Sequence, residues 1–203
     1  MNTFDAKAAT WDDDPAKVAR AMTVAEAILE AMPLAGRRVL EYGCGTGLLG
    51  FALQPHAGAI TLADSSEGML AVLRAKVQAG GYANLAPARL DLMADPLPAE
   101  PFDLVCSLMV MHHIPDTAGI LSRFHDLLVP GGWVALADLD LEDGSFHGPG
   151  VDVHPGFDRG AFQARLEAAG FQDIRITTVF DVVRDHPGGA RSYPAFLALA
   201  RRG

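Results

Sequence analysis

The residues best placed to do chemistry surround one short stretch, VLEYGCGTGLLG, residues 39–50. Gly45, Gly47 and Gly50 reproduce G-x-G-x-x-G, the spacing that sets a dinucleotide pyrophosphate on a helix N-terminus when a strand precedes it and a helix follows. Gly43, Gly45 and Gly47 allow a sharp turn that a ligand can approach without meeting a Cβ. Glu41 stands directly before that turn, where its carboxylate would repel a pyrophosphate and attract a cation. Asp64 follows 17 residues after Gly47, at a distance suited to accepting hydrogen bonds from ribose hydroxyls. A third acid, Asp91, closes the run ARLDL. Singly, each acid reads as a cap or a solvated side chain. Three together at strand ends suit a ligand with amino groups and a ribose better than one with phosphates.

Other reactive side chains narrow the field. Cys44 and Cys106 have no neighbouring His or Lys to lower their pKa, so they read as small packed thiols in a reducing compartment. His147 and His154, with Asp143 and Asp152, match neither H-E-x-x-H nor C-x-x-C, and no metal is expected. The formal charge of −9, from 16 Lys and Arg against 25 Asp and Glu, disfavours a nucleic-acid partner. A small acceptor or a protein partner fits that charge more easily. With 203 residues, half of them hydrophobic, the chain is expected to fold as one domain, 1–203. It has no apolar run long enough to span a membrane, and MNTFDAKAATWDDDP has neither a basic leader nor an apolar core, so a cytoplasmic protein off the membrane is expected.

The elements that must hold these residues follow from periodicity. Val18, Met22, Ala25 and Leu29 recur at helical spacing between Asp14 and Met32, and Pro33 stops that helix. RVLEYG, AITLAD, PARLDL and FDLVCSLMV then alternate as strands with the helical runs LLGFALQ and SEGMLAVLRAKVQAGG, the pattern of βαβ units on a parallel sheet. Ser65 or Ser66 caps the longer of those helices. Asp116 caps another, whose Ile120, Leu121, Phe124, Leu127 and Leu128 form one stripe halted by the PGG at 130–132. WVALADLD reads as a strand, and Phe162, Leu166 and Ala169 as a further helix closed by Gly170. FQDIRITTVFDVV and YPAFLALARR, joined by a Gly/Pro turn, read as an antiparallel pair. The one long stretch without a period is 142–156, and a loop of that length inside a compact domain is often functional.

VLEYGCGTG with Asp64, Asp91 and FDLVCSLMVMHHIPD resembles the class I S-adenosylmethionine-dependent methyltransferases, of the small bacterial, ubiquinone-biosynthesis type. The likeness runs from FDAKAATWDDDP to YPAFLALARR. It implies an α/β fold, a Rossmann-like doubly wound seven-stranded sheet that is mostly parallel with an antiparallel C-terminal strand and helices on both faces. It also implies that Gly43, Gly45 and Gly47 pack on the methionine part of S-adenosyl-L-methionine, with Glu41 near its amino group. Asp64 would bind the ribose and Asp91 with Leu92 the adenine, while Cys44, Ser65, Met69, Ser107 and Leu108 complete the cofactor site. The G-x-G-x-x-G is then coincidental, and Gly50 is a close-packing position in a helix.

Transfer of a methyl group from a sulfonium chiefly needs alignment, and a base only if the acceptor must lose a proton. His113 is the favoured base and His112 its less favoured neighbour, because imidazole titrates near neutral pH. Either can equally be packed or solvated. Trp11 and Phe4, in the segment 1–33, are candidates for a lid over the acceptor, or for anchors of the first helix. Phe146, His147 and His154 are candidates for the wall of the acceptor pocket, or incidental residues of a surface loop. Rival readings are an S-adenosylmethionine or S-adenosylhomocysteine binding regulator without transfer activity, a protein or RNA methyltransferase, and a dinucleotide oxidoreductase. Glu41 and the C-terminal strand pair disfavour the last of these. Neither the acceptor nor the oligomeric state is encoded in these motifs.

Overall fold

The computed structural model describes residues 4–148 and 150–203; residues 1–3 of the N-terminal segment and Pro149 of the long loop lie outside them. A run of 3-10 turns, Asp5–Asp13, precedes helix α1, Pro15–Ala31. Strand β1 (Arg38–Tyr42), helix α2 (Leu48–Leu53), strand β2 (Ala59–Asp64), helix α3 (Glu67–Gly80) and strand β3 (Leu85–Arg89) follow. Then come strand β4 (Phe102–Leu108), a 3-10 turn at Met111–His113, helix α4 (Thr117–Leu127) and strand β5 (Leu128–Leu139). Helix α5 (Arg159–Ala168) and the long strands β6 (Phe171–His186) and β7 (Gly189–Arg202) complete the chain. Among the described residues no helix is long and apolar enough to cross a membrane.

Helices begin where a side chain can accept one of the free amides of the first turn. Asp14 accepts from Ala16, Ser66 from Met69, Asp116 from Gly119 and Asp158 from Ala161. The seven strands form one sheet in the order β3-β2-β1-β4-β5-β7-β6. β1 to β5 pair in parallel, and β7 runs antiparallel between β5 and β6. The order reverses between β1 and β4, so the turn after β1 opens at the position where ligands settle in such sheets.

Side chains alternate across the sheet and build a core on each face. Val39, Ile60, Leu62, Leu104 and Ala135 pack with α1, α2 and α3 through Val24, Ile28, Leu49, Leu53, Leu70 and Leu73. Leu40, Val105, Val134, Leu136 and Phe196 pack with α4 and α5 through Ile120, Leu121, Phe124, Phe162 and Leu166. The doubly wound, seven-stranded fold expected from the resemblance is therefore present.

Three local expectations need correction. Helix α1 buries Ala21, Val24, Ala25 and Ile28, whereas Val18 and Met22 are exposed; the face toward the sheet is set by the small alanines, which permit close approach. The 130–132 PGG does not end α4 but lies inside β5, as does Leu128, and the pairing of β5 with β4 shifts register there. Asp91 lies two residues past the end of β3, in a turn where its Oδ1 accepts the Met93 amide at 2.9 Å.

Candidate functional site

The glycine turn is built as its sequence requires. Gly43, Gly45 and Gly47 all have positive φ, 70°, 55° and 88°, which residues with a Cβ adopt only under strain. The Gly43 and Cys44 amides donate to the Ala63 carbonyl at 2.8 and 3.0 Å, fixing the turn to the end of β2. Asp64 completes the attachment: Oδ2 accepts from the Gly45 amide at 2.7 Å and Oδ1 from the Ser66 amide at 2.8 Å. Burial raises the Asp64 pKa, while those amides, which stabilise the carboxylate, pull it down. A Cβ added at Gly45 would project toward Trp11 Nε1 and Met69 Sδ, 3.8 and 3.9 Å away, so the open face of the turn looks toward that pair.

Glu41 lies under this turn, 3% exposed, and its Oε2 has no hydrogen-bond partner among the described residues. Burial pushes its pKa up to about 8; the Asp64 charge adds to the rise, and the Gly50 amide and Lys76 oppose it. A buried carboxyl group with an orphaned oxygen fits a ligand that presents an ammonium beside it. Gly50 is explained by the same carboxylate: a Cβ there would stand 2.7 Å from Glu41 Oε2 and 2.2 Å from Leu62 Cδ2. Its role is close packing inside α2.

The remaining expected cofactor residues divide. Met69 is buried facing Gly45, and Leu108 is half-buried at the end of β4. Cys44 is buried in the turn, and burial raises its thiol pKa well above the usual range, as it does for Cys106. Ser65 is exposed, and the cap of α3 is Ser66. Ser107 is buried and donates its hydroxyl to the Tyr42 carbonyl at 2.9 Å, joining β4 to β1. The Leu92 amide donates to Tyr42 Oη at 3.2 Å.

The N-terminal segment closes over the turn. Asp12 accepts the Thr46 hydroxyl through Oδ1, and Lys76 Nζ donates to Asp12 Oδ2 at 2.7 Å and to the Thr46 carbonyl at 2.9 Å. Asp5 Oδ1 accepts from the Ser66 hydroxyl at 2.6 Å and the Gly68 amide at 3.0 Å. The Phe4 ring meets Trp11 edge-on at 6.0 Å and His113 at 5.2 Å. One aromatic bridge therefore runs from the glycine turn to the loop after β4.

In that loop Met109 takes a positive φ of 58°, turning the chain into the 3-10 turn that carries His112 and His113. His112 is buried, and its Nδ1 lies 2.7 Å from Oδ1 of Asp138, which is fully buried near the end of β5. The His112 amide donates to Asp138 Oδ2, and the Leu139 amide to Asp138 Oδ1. The carboxylate thereby fixes the ring by its Nδ1 side and turns Nε2 away from Asp138. His147 folds back from the long loop until its ring centroid is 4.9 Å from His112 and 5.3 Å from His113. Burial and the neighbouring His112 lower the pKa values of His113 and His147 to about 4, so both rings are neutral at neutral pH. Where sequence spacing suggested no metal, the fold brings one ring nitrogen from each of the three histidines within 4.8 Å of the others.

The two other loop candidates do different work. Phe146 is buried with Leu139, Val182 and Tyr193, and so braces the loop rather than presenting an open surface. His154 lies outside the cluster: its Nε2 is 3.0 Å from the Ile114 carbonyl, which ties the loop to the chain before α4. Asp138, Asp12, Thr46 and Lys76 were not anticipated. Asp138 carried a readable sign, an acid in the otherwise apolar strand WVALADL, where an unpaired charge cannot stay buried.

Comparison with known proteins agrees with this geometry. The family described as a methyltransferase domain matches residues 39–132, from β1 through the turn and the histidine loop into β5. The ubiquinone biosynthesis O-methyltransferase of Pseudomonas aeruginosa (strain LESB58) is 34% identical over 112 residues, 55% of this chain and 48% of that protein. An uncharacterized methyltransferase of Mycobacterium bovis is 38% identical over 129 residues, 60% of this chain and 62% of that one. The chain thus spans about half the length of the ubiquinone-biosynthesis relatives it matches. A chain of the complex between the Haloferax volcanii Trm112 methyltransferase activator and a methyltransferase shares the fold, with a TM-score of 0.79, 19% identity, and coverage of 99% of this chain and 98% of that one. Residues 39–132 thus match a methyltransferase domain, and they lie on the seven-stranded sheet expected from the resemblance to the class I S-adenosylmethionine-dependent methyltransferases.

Proposed function

We propose that this protein moves a methyl group from S-adenosylmethionine to a small-molecule acceptor, working as one methyltransferase domain over 1–203 with 1–33 as its lid and 142–156 as its acceptor-side loop. The observation that carries this reading is the Trp11–Phe4 bridge, which joins the glycine turn to His113 under one covering segment. When bound, the cofactor supplies an electrophilic methyl group on a sulfonium, and S-adenosylhomocysteine is the product. The chain's own task is to hold and shield. Glu41 and the glycine turn would hold the amino-acid end, Asp64 the ribose, and Asp91 the adenine edge. The Leu92 amide already serves Tyr42, which leaves the Asp91 carboxylate as the polar group there.

On the acceptor side the favoured proton acceptor changes from His113 to His112. Asp138 orients the His112 ring through its Nδ1, the geometry of a His-carboxylate dyad. His113 has no such partner among the described residues, and its basicity is lowered. An acceptor with a hydroxyl nucleophile suits such a base; nitrogen and carbon nucleophiles remain in the test set. Trp11 and Phe4 would exclude water from the path between the two ends.

Calorimetric titration with S-adenosylmethionine, S-adenosylhomocysteine and NAD tests the cofactor half. Saturable binding of the first two without NAD is expected, and NAD binding alone would overturn the reading. Transfer of a labelled methyl group to hydroxylated, amino and enolisable small acceptors tests the rest. Cofactor binding with no transfer to any of them would favour a binding protein without transfer activity.

A further inference from the structure

We propose that His112, His113 and His147 form a binding site for one divalent transition-metal ion of the zinc class, with Asp138 as the carboxylate that orients its most buried ligand. The three rings each offer one nitrogen, all within 4.8 Å of one another. Zinc bound tetrahedrally to imidazole, at about 2.0–2.1 Å, sets its nitrogens about 3.3 Å apart. The cluster therefore has to contract by about 1.5 Å at most, a distance that ring rotation covers. His147 sits on a loop and His113 is half-buried, so the contraction falls on these two rings rather than on the buried, anchored His112.

Two observations outside the cluster's spacing point the same way. The His112 Nδ1–H is held 2.7 Å from Asp138 Oδ1, and a carboxylate on the second nitrogen is the usual support of a metal-bound imidazole. It fixes the tautomer and directs Nε2 away from Asp138. His147 Nε2, in turn, is buried with no hydrogen-bond partner among the described residues. A buried nitrogen left unpaired is costly, and a bound cation would satisfy it.

The donor set selects the ion. Three imidazoles with no carboxylate among them suit zinc, cobalt, nickel, copper or iron and disfavour magnesium and calcium, which take oxygen ligands. Three protein ligands also leave a coordination position open, the pattern of a working metal site rather than a closed structural one. Phe4 lies edge-on to His113 at 5.2 Å and Phe146 to His147 at 4.8 Å, so apolar rings flank two of the ligands. An ion and a proton compete for the same lone pairs; the base role of His112 accordingly belongs to the metal-free protein. That an acceptor oxygen takes the open position rests on the methyl-transfer reading, whereas binding of the ion does not.

The test uses the untagged full chain, treated with a chelator and titrated with zinc by calorimetry, then with cobalt by visible absorption. One ion per chain is expected, with the intense bands of four-coordinate cobalt. His147→Ala and His113→Ala should each abolish saturable binding at the same concentrations, while circular dichroism confirms that both variants are folded. Asp138→Asn should weaken binding about 10- to 100-fold. Absence of saturable binding in the wild-type chain, or equal binding after loss of His147 and of His113, would overturn the proposal. Each readout is taken without S-adenosylmethionine, so failure of the metal site and failure of methyl transfer are distinguishable.

Discussion

Glu41→Gln is expected to stabilise the ligand-free protein at pH 8 relative to the wild type, by an amount set by the burial of one carboxyl group. Burial lifts the Glu41 pKa from 4.5 to about 8 in the folded chain, and unfolding returns it to its ordinary value. Below pH 4.5 the group is protonated in both states and adds no pH dependence. Above it the unfolded chain releases a proton that the folded chain retains. Stability therefore falls as pH rises, until the folded group ionises near pH 8 and the slope vanishes. Each pH unit inside that window is worth about 1.4 kcal/mol, so the loss by neutral pH is on the order of 3 kcal/mol. That is a substantial part of the ~5–15 kcal/mol that holds a typical domain together.

Glutamine keeps the shape of the side chain and removes its titration. Urea unfolding of both proteins between pH 5 and pH 8 gives the check: the stability difference, variant minus wild type, should grow steadily with pH. A difference constant across the range would refute the assignment of a buried, raised carboxyl group. The same group gives a proton count on ligand binding. At neutral pH it is about nine-tenths protonated, and an ammonium brought beside it should drive off close to one proton. Calorimetry of S-adenosylmethionine binding in buffers of different ionisation enthalpy measures that release, and Glu41→Gln should show none.

Three further perturbations separate packing from binding. Gly50→Ala drives a methyl group against Leu62 and Glu41 and should lower the stability of the ligand-free protein by about 1–3 kcal/mol; a change indistinguishable from zero by urea unfolding would restore the glycine to a ligand-binding role. Asp64→Ala removes the acceptor shared by the Gly45 and Ser66 amides, and calorimetry should find S-adenosylmethionine affinity reduced by at least about tenfold. Unchanged affinity would count against the ribose assignment. Lys76→Met breaks the partly exposed link from α3 to Asp12 and should lower that affinity by less than about fivefold, an effect that high salt erases. A larger loss, insensitive to salt, would mean that Lys76 contacts the ligand itself.

Much of this protein is local and therefore legible in the chain. The turn after β1 announces itself because only glycine adopts three positive φ angles in five residues without strain. The caps at Ser66 and Asp116 are decided by the residue and the amide three positions on. The alternation of apolar runs with helical periods fixes a doubly wound sheet, since both faces of parallel strands must be covered. The charge of Glu41, on which the expected conflict with a pyrophosphate rested, was not legible in this way: the fold buries the group and pushes its pKa up to about 8.

What the chain does not display is distance across the fold. Asp138 reaches His112 because β5 lies beside β4, and His147 reaches both because the long loop is drawn back by Phe146 and Tyr193. The buried face of α1 includes the small Ala21 and Ala25 and leaves Val18 and Met22 exposed, so hydrophobic spacing alone does not select it. Whether Ser107 and Leu92 offer their polar groups to a ligand was decided by Tyr42, a partner supplied by another strand. Periodicity and turn chemistry determine which elements form and what the turn can hold. Only tertiary packing decides which buried polar groups find partners and which, like Glu41 Oε2 and His147 Nε2 among the described residues, do not.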